Sequence, residues 1–171
     1  MLESVLDCSV GTTDLTGYSL LDFQTVAAAA GCDYVQRVHS FGWPKLLALF
    51  ARCKAAPLLG RRTSDDFGTY GVWRGTIITV EPNRVEICWD DDTGGWCPAA
   101  EQPQAAAKLL PEGDDATTRL QVRFAQSMAV DNRQSGCNAR PDYERSLLAA
   151  YAAFASPRER AVCESAMRLA R

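Results

Sequence analysis

The chain has 171 residues, 47% of them apolar and 23% charged, with a formal net charge of −3. That length supports a real hydrophobic core in one domain, or one plus an appendage, and the composition excludes a disordered chain. The charge balance provides no global basic field, so any contact with nucleic acid has to come from a local patch.

In chain order, Leu2, Val5, Leu6 and Val10 predict a short helix or strand end within residues 2–12. The opening mixes these with Glu3 and Asp7 and does not read as a signal peptide. Gly11 to Asp14 predicts a loop. Ser19 is placed to cap a helix starting near Leu20, with Asp22 in its first turn and Phe23, Val26, Ala27 and Ala30 at helical spacing. Gly31 ends that helix, and Asp33 lies in the break. Phe41-Gly42-Trp43-Pro44 predicts a second bend, with Pro44 in the first turn of a helix that ends in basic Arg52 and Lys54. Pro57 and Gly60 then open an expected linker reaching Asp66.

From Phe67 the character changes. YGVWRGTIITV and RVEICW, separated by Glu81 to Arg84, predict a β-hairpin, and Val85, Ile87 and Trp89 alternate as in a half-buried strand. Asp90 to Gly95 predicts a turn, and residues 98–116 a connector with a helical turn at AAAKLL. LQVRF alternates at Leu120, Val122 and Phe124 and predicts a third strand. Asn132 to Pro141 reads as a polar loop. A helix follows through DYERSLLAAYAAFA, and Ser156, Pro157 and Glu159 start a last one. The expected fold is α+β: a helix–turn–helix core (1–62), a small antiparallel β module (63–130) and closing helices (131–171).

The seven cysteines are odd in number, spread out, and form no C-x-x-C pair. They predict free thiols in a reducing, intracellular compartment, with neither a disulfide framework nor a zinc site. No apolar run approaches a membrane span. His39 is the single histidine, which removes most histidine-based catalysis. Asp90, Asp91 and Asp92 read as solvated turn acids. Trp73, Trp89 and Trp96 are suited to stacking on bases or caging a methylated amine, or to filling a small β core.

The bend before the second helix has its own chemistry. A helix N-terminus presents backbone N–H groups and a positive dipole end to an anion, and Lys45 stands beside it. Arg37, Lys45, Arg52, Lys54, Arg61 and Arg62 cluster around it in sequence, either as a phosphate-binding patch or as a solvated face.

Gly31-Cys32-Asp33-Tyr34, then Val38, Phe41-Gly42 and Lys45 at their spacings, resemble the helix–turn–helix of the flap endonucleases, 5′→3′ exonucleases and XPG-type repair nucleases. Asp14-Leu15, Gly17 and Asp22-Phe23 resemble the family's approach to that motif, so the likeness covers about residues 14–52. It implies that Phe41, Gly42, Trp43, Lys45 and Arg37 contact a DNA backbone in a nuclear repair setting. It also implies that Asp33 is a Mg²⁺ ligand. The family's other acids lie N-terminal to the motif, and here Val5 stands where a partner in a D-x-D pair with Asp7 belongs. The expectation is therefore DNA backbone binding without cleavage, unless another chain supplies the missing acids. Otherwise Asp33 is a turn aspartate. Separately, Tyr70-Gly71-Val72-Trp73-Arg74-Gly75 with its hairpin resembles an SH3-like or Tudor-like barrel. That likeness implies a small interaction protein whose working surface is the β module.

Overall fold

Ser19 and Asp22 close a capping box on the first helix, α1 (Leu20–Ala30). Asp22 N donates to Ser19 Oγ at 3.0 Å, and Ser19 N donates to Asp22 Oδ2 at 3.1 Å. Both bonds satisfy donors that a helix start leaves without partners. The computed structural model of the chain describes residues 9–10, 13–32, 35, 38, 41–90, 100–112, 115–134 and 142–154. Before α1, β1 (Ser9–Val10) pairs with β2 (Thr13–Asp14). After it, α2 (Trp43–Ala55) starts at Gly42 with Pro44 in its first turn and Arg52 and Lys54 in its last. The boundaries of α1 and α2 are the ones the sequence signals predict, whereas Thr13 and Asp14, expected in a loop, pair as a strand.

The LQVRF segment is a correction. It lies in the long helix α3 (Ala116–Gln134), not in a strand. Asp115 caps this helix, its carboxylate accepting from Thr118 N and Thr118 Oγ1, both at 2.8 Å. Phe124, Ala125, Met128 and Ala129 share a buried face at helical spacing, whereas Leu120 and Val122 are only half-buried. A five-residue alternation is thus overridden by a longer 3.6-residue period. α4 (Tyr143–Phe154) follows as predicted. The last helix expected from Ser156 lies outside the described residues.

The four helices enclose one core, with Leu46, Phe50, Phe124, Met128, Leu147 and Leu148 fully buried. Phe50 meets Phe124 edge-on, ring centroids 5.2 Å apart at 89°.

The second layer is a five-stranded antiparallel sheet in the order β6-β5-β4-β3-β7. The predicted hairpin is β4 (Val72–Val80) and β5 (Arg84–Trp89). Two expectations fail here. The supposed linker ends at Gly60, and β3 (Arg62–Asp66) is a strand paired to β4 and β7. The connector at 98–116 supplies β6 (Ala100–Pro103), a 3₁₀ turn at Gln104–Ala106 and β7 (Lys108–Leu109). RTSDD carries no apolar alternation; backbone pairing on both sides makes it a strand. Ile77, Val85, Ile87 and Trp89 form a second buried cluster, against which Leu58 packs.

The two cores meet at residues 58–61. Leu58 packs on the sheet cluster and Leu59 in the helical one. Gly60 N donates to Ile77 O at 2.8 Å, and Ile77 N to Arg61 O at 3.0 Å. A β-carbon on Gly60 would lie 2.1 Å from Arg123 O in α3, so only glycine fits between the layers. Arg123 Nη1 donates to Ala56 O at 3.0 Å, and Glu112 reaches Arg61 Nε at 3.2 Å. The α+β class is therefore observed. Among the described residues, no helix is long and apolar enough to cross a membrane.

Candidate functional site: an aromatic pocket on the sheet

Chain direction reverses between β3 and β4 through a 3₁₀ turn at Gly68–Tyr70. Asp66 Oδ1 accepts from Gly68 N at 2.9 Å, Gly71 N donates to Gly68 O at 3.0 Å, and Phe67 N donates to Gly71 O at 3.0 Å. Gly68 and Gly71 stand at φ 65° and 78°, left-handed values that suit glycine. The turn sets Phe67 and Tyr70 beside Trp73, whose indole N–H donates to Tyr70 O at 2.9 Å.

On β5, Trp89 lies directly across from Gly75 in the β4 ladder. Phe67 stands between the two indoles. Its ring centroid is 5.8 Å from Trp73 at 62° and 5.2 Å from Trp89 at 89°. Phe67, Tyr70, Trp73 and Trp89 line a pocket of about 370 Å³ with an apolar surface. Phe67 is 43% exposed, Trp73 41% and Tyr70 79%, so these three rings are not core. Trp89 is 8% exposed and forms the floor. Asp65 pairs across from Trp73 in the β3–β4 register and also meets Lys108 Nζ at 3.2 Å.

Behind the floor, Arg62 binds the Asp90 carboxylate through both terminal nitrogens, with Nη1 to Oδ1 at 2.9 Å, and Nη1 also donates to Thr76 Oγ1 at 2.8 Å. Burial works against the Arg62 charge, but the hydrogen bond and charge of Asp90 prevail and hold its pKa above the ordinary value.

The predicted phosphate-binding turn has a different character. Gly42 is exposed, the first turn of α2 carries no acid, and Lys45 is exposed with its ammonium 5.7 Å from the Phe41 ring centroid. Trp43 stacks on Phe23 at 5.7 Å and 12°, and Phe41 and Trp43 both pack against the helical core. Gly42 sits at φ −89°, and a β-carbon there would meet nothing nearer than Pro44 Cδ at 3.8 Å. The chain's own packing therefore does not require glycine at this position. Asp33, Arg37, His39 and Trp96 lie outside the described residues. The basic cluster seen in sequence is divided in space. Lys54 pairs with Asp22 at 2.8 Å, Arg61 with Glu112, and Arg62 with Asp90. Among the described residues, no group of three or more His, Cys, Asp or Glu is placed to hold a metal ion. Cys32, Cys53 and Cys88 are not joined in disulfides.

Sequence reading picks out Trp73 and Trp89 but not Phe67 as a wall of the same pocket. Phe67 sits in a turn, where no periodicity marks it. The available signal is the Asp66-Phe67-Gly68 turn followed by Tyr70-Gly71. Comparison with protein-family models, curated proteins and solved structures finds no match.

Proposed function

We propose that this chain is an interaction module that uses the Phe67–Tyr70–Trp73–Trp89 pocket to hold a methylated ammonium group on a partner protein. The observation that carries this reading is the corner of aromatic walls. Phe67 stands nearly perpendicular to Trp89 and steeply inclined to Trp73, around a space with apolar walls. Aromatic faces attract cations through their quadrupoles, and methyl groups remove the hydration that an ammonium would have to shed. Asp65 and Asp66 on the adjoining strand and the net negative charge favour a cationic ligand over a neutral one.

The test is a tryptophan-fluorescence titration with three peptides that differ at one side chain: trimethyl-lysine, lysine, and a neutral tert-butyl isostere. Saturable quenching by the trimethylated peptide alone, lost in Trp73→Ala, is the expected result. Equal binding of the neutral isostere makes the pocket an apolar groove of the kind that takes proline-rich segments, and removes the cation reading. The phosphate reading at Gly42 and Lys45 is supported by less, namely an exposed helix start without an acid in its first turn. No cleavage is proposed.

A further inference from the structure

Trp89 is the buried ring of the four, so its place decides the shape of the pocket floor, and its place is set by the end of β5. Alternation along the strand sends Trp89 to one face of the sheet and Asp90 to the other. On that far face, a single guanidinium ties three strands together. Arg62 of β3 holds the Asp90 carboxylate beyond β5 and donates to Thr76 Oγ1 of β4 at 2.8 Å. Asp90 N adds a bond to Arg74 O at 2.7 Å. The side chains of Arg62 and Asp90 are 21% and 30% exposed, so the pair is shielded well beyond a surface ion pair.

We infer that Arg62 is a positioning residue for the ligand. By gripping Asp90 from behind the sheet, it holds the Trp89 ring against Phe67 without touching the pocket. The planar fork of the guanidinium is what the geometry uses, since two nitrogens meet two carboxylate oxygens while one also serves Thr76. Lysine keeps the charge but offers a single point of contact. The inference rests on the pocket reading above for its ligand, although the ring placement is measurable without one.

The experiment titrates the trimethyl-lysine peptide into wild type, Arg62→Lys, Asp90→Asn and Trp73→Ala at a temperature where thermal melts show each protein folded. Near-ultraviolet circular dichroism follows the Trp89 ring through the bands that a Trp89→Phe variant lacks among those of the four tryptophans. Arg62→Lys is expected to weaken binding by about fivefold or more and to alter the aromatic bands, with Asp90→Asn intermediate. A purely structural role would lower the melting temperature yet leave both the affinity and the bands of the folded protein unchanged. Binding within twofold of wild type by a folded Arg62→Lys, with unchanged bands, overturns the inference. Should Arg62→Lys not fold, Asp90→Asn decides by the same two readouts. If wild type itself fails to bind, the pocket reading is lost. The aromatic bands of Arg62→Lys then judge the positioning role alone, altered bands supporting it and unchanged bands ending it.

Discussion

Gly75 stands across from Trp89 in the β4–β5 ladder, and a β-carbon at position 75 would lie 2.9 Å from Trp89 Cε3 and 2.6 Å from Ile87 Cγ2. The bare backbone of β4 is therefore the surface on which the indole rests. Gly75→Ala forces the indole or Ile87 aside, and overpacking of this kind costs about 1–3 kcal/mol. Urea unfolding measures it. A change under about 0.5 kcal/mol would show that Trp89 does not depend on that contact.

Trp89 and Trp73 line the same pocket but differ in burial, which separates fold from binding. Trp89→Ala should destabilise the protein by about 3–5 kcal/mol, as large core truncations do. Trp73→Ala, at a position 41% exposed, should cost about 1 kcal/mol yet remove ligand binding. Chemical denaturation read beside the peptide titration checks both. Comparable stability losses in the two variants would refute the division of roles.

The α2 N-terminus makes a separate prediction. If Gly42 and Lys45 meet phosphate, a fluorescent duplex should bind at about 10⁻⁴–10⁻⁶ M at physiological salt and more weakly as salt rises. Lys45→Ala should reduce the salt slope by about one, and Trp73→Ala should change nothing. A folded protein that ignores duplex DNA at low salt removes this reading.

Asp131 on α3 predicts a pH dependence. Burial raises its pKa above the usual 3.8, with Arg52 and Lys45 pulling the other way. The folded state then binds more protons than the unfolded state between pH 3.8 and the raised value, so this group's contribution falls as pH rises through that window. Asp131→Asn carries no such titration. Its stability relative to wild type should improve from pH 3 towards pH 7, which thermal melts across that range would show. A flat difference would mean the carboxyl titrates alike in both states.

Much of the helical layer is legible because its signals are local. Ser19 with Asp22, Gly31, and Pro44 at the start of α2 each act within a few residues of themselves. The alternation of Val85, Ile87 and Trp89 likewise states its own face. β3 is illegible for the opposite reason. Thr63 is fully buried, yet it earns that place from partners in β4 and β7 that are distant in sequence. LQVRF misleads because five residues satisfy both periods, and only the run to Ala129, with the cap at Asp115, decides between them. The pocket was half legible. Its tryptophans stand out by residue type, but Phe67 joins them through a turn whose closure depends on glycines and an aspartate, and no spacing rule records which rings such a turn brings together.

The joint at residues 58–61 bears on how this protein comes apart. Neighbouring side chains, Leu58 and Leu59, are committed to different cores, and Gly60 admits no atom between its backbone and α3. Residues 62–110 excised as a minimal binding fragment would leave with half of that seam exposed, losing the wall that Leu58 gives the sheet cluster. The module is not a cassette to be transplanted. Calorimetry of the whole chain should record one transition, in which the sheet and the helices melt together.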